Sequence, residues 1–107
     1  MTKKYKYFQD PGHGWIAVPL TELRALGISE KISEYSYILG PIVYLEEDCD
    51  AAIWHEAVKA RGEAPAFEEV HQDPCPIREY PSYRGERGIQ RARSANVLPN
   101  AFAHLFN

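Results

Sequence analysis

The sequence lacks the long apolar runs, the paired cysteines and the repeats that mark several large classes of protein. No apolar run among the 107 residues approaches the ~20 residues of a membrane-spanning helix. The basic N-terminus leads into no apolar stretch, so we expect no signal peptide. The two cysteines, Cys49 and Cys75, lack the C-x-x-C spacing of zinc knuckles and thioredoxin-type sites. We therefore expect a cytoplasmic protein with free thiols and no membrane partner, and we exclude the secreted, fibrous and repeat classes.

The sequence does have an ordinary globular composition, with an uneven distribution of charge. Apolar residues make up 45% and charged residues 25% of the chain, which argues against disorder. The length is that of one domain. The net charge is -3, yet acidic residues dominate positions 1–77, whereas positions 78–107 are basic and carry arginine but no lysine. This asymmetry is typical of an interaction tail, or of two solvated faces that neutralise each other.

Hydrophobic periodicity predicts an α+β fold. Residues 4–8 alternate Lys and Tyr and residues 15–18 are apolar, which predicts a hairpin around the Pro- and Gly-containing loop between them. Residues 33–39 and 42–45 predict a second hairpin, in which 42–45 takes a central position because its apolar run is uninterrupted. Residues 51–61 form an amphipathic pattern that predicts the main helix.

The remaining signals complete the predicted architecture. Thr21 is placed to cap a short helix, and residues 77–80 read as an edge strand because Pro81 cannot continue a ladder. We predict a small, mainly antiparallel sheet of 4–5 strands with one main helix packed on one face. Residues 1–81 form this α+β domain, and residues 82–107 form an arginine-rich loop and a short C-terminal helix. The predicted core consists of Trp15, Ile16, Val18, Leu23, Leu26, Tyr37, Val43, Leu45, Ile53, Trp54 and Val58.

An acidic run of Glu46, Glu47, Asp48 and Asp50 precedes the main helix. Asp48 or Asp50 is placed to accept the free N–H groups of the first helical turn, and the negative charge complements the helix dipole. A hard cation is an alternative use of alternating carboxylates, but the run lacks the glycine and the distal glutamate of a calcium loop. We therefore expect no metal and no cofactor, and we assign the run as a partner-binding surface.

A loop of Asp10-x-x-His13 is the one catalytic candidate. Glycines flank His13 and would expose its imidazole, and Asp10 is placed to orient it as a carboxylate orients a general base. No nucleophile stands at a diagnostic spacing, so catalysis remains an alternative and no catalytic residue is assigned.

Four arginines near the C-terminus, Arg84, Arg87, Arg91 and Arg93, lie close to two tyrosines. Positive charge interleaved with aromatic rings is typical of surfaces that bind nucleic acid, and it also suits an acidic partner protein. The acidic body of the chain opposes the first of these uses.

Two segments carry a resemblance to known proteins. DPGHGW at residues 10–15 and YLEEDCDA at 44–51 resemble a group of small proteins of bacterial phages and plasmids that have no established activity. Residues 26–28 and 35–37 also look like that group, and the resemblance covers roughly residues 5–60. It implies a setting in a mobile genetic element, where small proteins are often accessory factors, including inhibitors of host defence systems, and it carries over no functional residue.

These observations lead us to expect a non-enzymatic protein–protein interaction protein, of the anti-CRISPR or anti-restriction type. The expected partner is a host protein or complex, and a second copy of the chain is an alternative partner. A small nucleic-acid-binding regulator that uses the arginines, and a small enzyme centred on His13, are the alternative functions.

Overall fold

The computed structural model describes residues 3–85. Five strands, two α-helices and one 3₁₀ helix follow one another in this part of the chain. The elements are β1 (Lys4–Gln9), β2 (Gly14–Pro19), α1 (Leu20–Ala25), β3 (Tyr37–Leu39), β4 (Ile42–Glu46), α2 (Ala51–Ala60), β5 (Ala66–His71) and the 3₁₀ helix Pro76–Glu79.

The five strands form one mixed sheet in the order β3-β4-β2-β1-β5. The pairs β3–β4, β4–β2 and β2–β1 are antiparallel, and β1–β5 is parallel. Antiparallel neighbours need only short connections, whereas the return from β4 to the far edge requires a crossover, which α2 supplies. The predicted α+β fold, with a mainly antiparallel sheet and one main helix, is confirmed.

The main core lies on the face of the sheet that the two helices cover. Alternate residues of the central strand β2, Ile16 and Val18, point to this face and meet Trp54 and Val58 of α2. Trp54 is fully buried, and the ring of Tyr5 packs edge-on against it with the centroids 4.8 Å apart. Burial of these side chains accounts for the amphipathic pattern that predicted the helix.

A smaller cluster lies on the opposite face of the sheet, for which no covering element was predicted. Trp15, Cys75 and Ile77 are buried there, with Tyr37 and Tyr44 partly buried against them. The 3₁₀ helix brings Ile77 to this cluster, so the prediction of an edge strand at residues 77–80 is wrong. Pro76 occupies the first turn, where its fixed φ favours a helical start and its missing N–H is not needed.

Several local predictions also need correction. The first α-helix begins at Leu20 directly after Pro19, and no side chain caps it, so Thr21 does not have the predicted role. Of the strand predicted over residues 33–39, only Tyr37–Leu39 is a strand in the structure. Among the predicted core residues, three are only partly buried, and these are Leu26, Tyr37 and Ile53.

The end of the described chain packs onto the body. Tyr83, two residues beyond the predicted boundary at residue 81, is fully buried in the main cluster, and its hydroxyl donates to the carbonyl oxygen of Ser29. Ser82 forms a bridge with Tyr37 at the β3 edge. The predicted C-terminal helix lies outside the described residues. No helix within residues 3–85 has the length and apolarity to cross a bilayer.

Candidate functional site

A pocket of about 240 Å³ opens at the end of the sheet on the face of the smaller cluster. The β1–β2 loop, the turn before α2 and the segment leading into β3 meet there. Its lining consists of His13, Trp15, Tyr35, Tyr37, Glu46, Asp48, Cys49 and Arg78. The three segments 10–15, 35–37 and 44–51, which are far apart in the sequence, therefore contribute to one site.

Strand register explains why the pocket forms at this place. Trp15 of β2 and Glu46 of β4 are direct cross-strand partners, so their side chains lie side by side on one face of the sheet. Tyr37 of β3 packs edge-on against Trp15 with ring centroids 6.2 Å apart. The pairing of β2 with β4 thus brings the loop after β1 next to the turn after β4.

Glu46 is a buried structural member of the site rather than a surface charge. It is 8% exposed, and its Oε2 accepts hydrogen bonds of 2.9 Å from the backbone N–H groups of Asp48 and Cys49. Its Oε1 lies 3.5 Å from Nδ1 of His13. Glu46 therefore holds the turn before α2 and faces the imidazole at the same time.

Asp50 has an internal role that differs from the predicted cap. The residue precedes α2 at the cap position, but its side chain makes no capping hydrogen bond, and it is 1% exposed. Its carboxylate accepts hydrogen bonds from the backbone N–H and hydroxyl of Ser33 and from the hydroxyl of Ser36. The Ser36 oxygen in turn accepts the N–H of Glu46. Asp50 thus fixes the irregular segment that leads into β3.

The other two acidic residues differ from each other. Asp48 is exposed and points to the pocket. Glu47 accepts a hydrogen bond from the hydroxyl of Tyr7, and burial together with this carboxylate raises the pKa of Tyr7 to about 12. Of the four residues predicted to bind a partner, only Glu47 and Asp48 are accessible from outside.

Asp10 does not orient the imidazole of His13, contrary to the catalytic hypothesis. Its carboxylate accepts the backbone N–H groups of Gly12 and His13 and pairs with the guanidinium of Arg78. The bond from Arg78 holds the pKa of Asp10 well below its usual range. The same guanidinium lies 5.3 Å from the ring centre of Trp15. The polar neighbour of the imidazole is Glu46 instead.

The pocket contains no recognisable nucleophile–base pair among the described residues. No hydroxyl or thiol within residues 3–85 is hydrogen-bonded to the imidazole of His13. Cys49 lines the pocket, but desolvation and the carboxylate of Glu46 raise the pKa of its thiol. A thiol with a raised pKa is a poor nucleophile at neutral pH. These properties do not favour Cys49 as a covalent nucleophile.

Trp15 contributes a polar group with no partner. It is 2% exposed, and its Nε1–H is the only buried side-chain N or O group in the described part of the chain that lacks a hydrogen bond. Buried donors are nearly always paired, so this unpaired donor distinguishes the pocket from the rest of the interior.

Two contributors to the pocket were missed by sequence reasoning. Arg78 was grouped with the basic C-terminal residues, because nothing local signals that its partner is Asp10, 68 positions earlier. Tyr35 was not assigned to the site, although its alternation with Tyr37 places both rings on one side of the chain.

The predicted arginine surface falls mostly outside the described residues. Arg84 is 70% exposed at its side chain and lies 3.8 Å from Glu34. Arg87, Arg91 and Arg93 lie beyond residue 85, outside the described residues.

Comparison with known proteins yields no relative: no family model, no curated protein and no solved structure matches the chain. The chemistry of the pocket and its rim is therefore the basis for a functional conclusion.

Proposed function

We propose that this protein is a non-enzymatic interaction protein of a mobile genetic element that acts in the cytoplasm by covering a surface of a host defence complex. Its binding surface is the rim of the pocket, formed by Tyr35 and Asp48. We call this set the Tyr35 rim. The partner surface is basic.

The exposure of Tyr35 is the observation that carries the proposal. This side chain is 67% exposed, more than any other large apolar side chain in residues 3–85, and it stands at the mouth of the pocket. Tyrosine supplies a large contact area with few rotatable bonds, and it is enriched among the residues that dominate binding energy at interfaces.

The charge of the rim supports a basic partner. Asp48 is exposed and lines the pocket, whereas the nearby guanidinium of Arg78 is neutralised by Asp10. Rim charges raise association rates and select partners of opposite sign more than they add affinity. A lysine- or arginine-rich surface on the partner therefore fits the rim.

The test is capture from a nuclease-treated bacterial host lysate with the full chain carrying a removable tag. Tyr35→Ala is expected to reduce recovery of a stoichiometric host protein by at least about tenfold, as loss of an interface anchor does. Asp48→Lys is expected to slow association and to weaken its salt dependence.

Matched controls lie on other surfaces of the molecule. Glu56→Lys makes the same change of charge on an exposed position of α2, and Phe67→Ala removes the other exposed large aromatic side chain, on β5. Both should retain the captured protein. Equal recovery with Tyr35→Ala and wild type would refute the Tyr35 rim, and recovery lost on nuclease treatment would favour nucleic-acid binding by the arginines.

A further inference from the structure

We infer that the pocket binds one divalent transition-metal ion through His13, Glu46 and Asp48. This inference goes beyond the proposed partner binding and does not depend on it, although Asp48 belongs to both sites. Each of the three residues offers one donor atom, and the three atoms lie within 4.8 Å of one another.

The spacing is close to that of ligands on one ion. Donor atoms lie about 2.0–2.2 Å from zinc, so two ligands of the same ion are separated by roughly 3–4.4 Å. The imidazole of His13 and the carboxylate of Glu46 are already 3.5 Å apart. Asp48 is exposed, so its side chain is free to close the small remaining gap by rotation.

Two of the ligands are held in place by other groups of the protein. The loop amides of Asp48 and Cys49 engage Oε2 of Glu46, which leaves Oε1 facing the imidazole. Asp10 holds the backbone of His13, and Arg78 holds Asp10. Hydrogen bonds of this kind to ligands and their loops are typical of metal sites.

Trp15 is an independent indication that the pocket takes a ligand. Its buried Nε1–H has no acceptor among residues 3–85, and the residue lines the same pocket. The charges also match, because two carboxylates and a neutral imidazole balance a divalent cation.

The donor set favours a transition metal over magnesium or calcium. Imidazole nitrogen is a ligand that zinc, nickel and iron prefer, whereas magnesium and calcium take oxygen ligands almost alone. Three protein ligands also leave positions for solvent or for a group of a partner.

The test is isothermal titration of the untagged full chain with zinc chloride and, separately, magnesium chloride. We expect one strong zinc equivalent and much weaker magnesium binding. His13→Ala and Asp48→Asn should each weaken zinc binding at least about tenfold. Both positions are exposed, so circular dichroism should show both variants folded. Glu46 is left intact because it also holds the turn before α2.

Matched variants and a second readout distinguish this site from zinc binding elsewhere on the chain. His55→Ala and Glu56→Gln, on the exposed side of α2, should bind zinc as wild type does. Cobalt should quench tryptophan fluorescence, and Trp15→Phe should abolish most of this response. Zinc affinity unchanged in His13→Ala, or equal binding of magnesium, would overturn the inference. Tyr35→Ala should retain zinc, so a failure of partner capture is distinguishable from a failure of metal binding.

Discussion

Replacement of Asp50 by alanine is expected to destabilise the fold far more than the same change at Asp48, two positions earlier. Both residues belong to one acidic run, but Asp50 is 1% exposed and Asp48 is exposed. The substitution removes the acceptor of three hydrogen bonds, from the backbone and hydroxyl of Ser33 and from the hydroxyl of Ser36. The comparison therefore separates a structural carboxylate from a surface one.

The magnitude follows from these three bonds. A hydrogen bond to a charged group contributes about 1.5–3 kcal/mol, and a buried donor left without an acceptor costs about 1–3 kcal/mol. The hydroxyl of Ser36 is fully buried, so it would stay without an acceptor. Ser33 is only partly buried, so its N–H and hydroxyl can bond to water instead. We therefore expect Asp50→Ala to lower the free energy of unfolding by roughly 3–5 kcal/mol, a large part of the 5–15 kcal/mol typical of a domain.

Urea denaturation followed by tryptophan fluorescence and circular dichroism measures this difference. With a slope of about 1.5–2 kcal/mol per molar urea, the midpoint of Asp50→Ala should fall by roughly 2 M. Asp48→Ala should stay within about 0.5 kcal/mol of wild type, as exposed substitutions usually do. Ser36→Ala tests the network directly, because its cost should not add to that of Asp50→Ala. Midpoints of Asp50→Ala and Asp48→Ala that coincide would refute the assignment of Asp50 as a structural anchor.

Two further predictions concern the β1–β2 loop. Because Arg78 lowers the pKa of Asp10 in the folded protein, their pairing stabilises the fold above the ordinary aspartate pKa of about 4, and this contribution is lost as the pH falls toward the folded pKa. Urea midpoints between pH 2 and about 6 should therefore vary less with pH in Arg78→Ala than in wild type. Identical pH profiles of the two proteins would contradict a stabilising pair between Asp10 and Arg78. Gly14→Ala places a methyl group 2.6 Å from the ring of Tyr7 and should cost about 1–3 kcal/mol. Displacement of the ring from Glu47 should also lower the pKa of Tyr7 from about 12, which absorbance at 295 nm would detect; an unchanged titration would show that the ring has not moved.

The element types were largely predictable, because they depend on local periodicity. The alternating pattern of residues 4–8, the apolar run of residues 15–18 and the amphipathic pattern of residues 51–61 correspond to β1, β2 and α2 in the structure. The prediction for Thr21 failed because the helix begins directly after Pro19. The prediction for residues 77–80 failed because this segment packs on the second face of the sheet. Neither the Pro19 start of α1 nor the burial of Ile77 leaves a periodic signal.

The candidate site was predictable only in its parts. His13 and the acidic run were both recognised as candidates, but as separate ones. No metal was expected, because the cysteines lack C-x-x-C spacing and the acidic run lacks the pattern of a calcium loop. The pairing of β2 with β4 joins residues 13 and 46, which are 33 positions apart. Arg78 reaches the site only in the folded chain, where its guanidinium pairs with the carboxylate of Asp10.

The sequence by itself determined the class of fold, the main helix and the segments that carry polar side chains, because backbone geometry ties each of these to short-range patterns. The tertiary structure alone decided which carboxylates of the acidic run face inward and which face solvent. Glu46 and Asp50 are buried because serine hydroxyls and loop amides satisfy them there, whereas Asp48 is left at the pocket. The charge of each residue follows from the sequence, but its burial and its hydrogen-bond partners follow from the fold. Within one acidic run, the fold therefore makes Glu46 and Asp50 structural and leaves Asp48 at the surface.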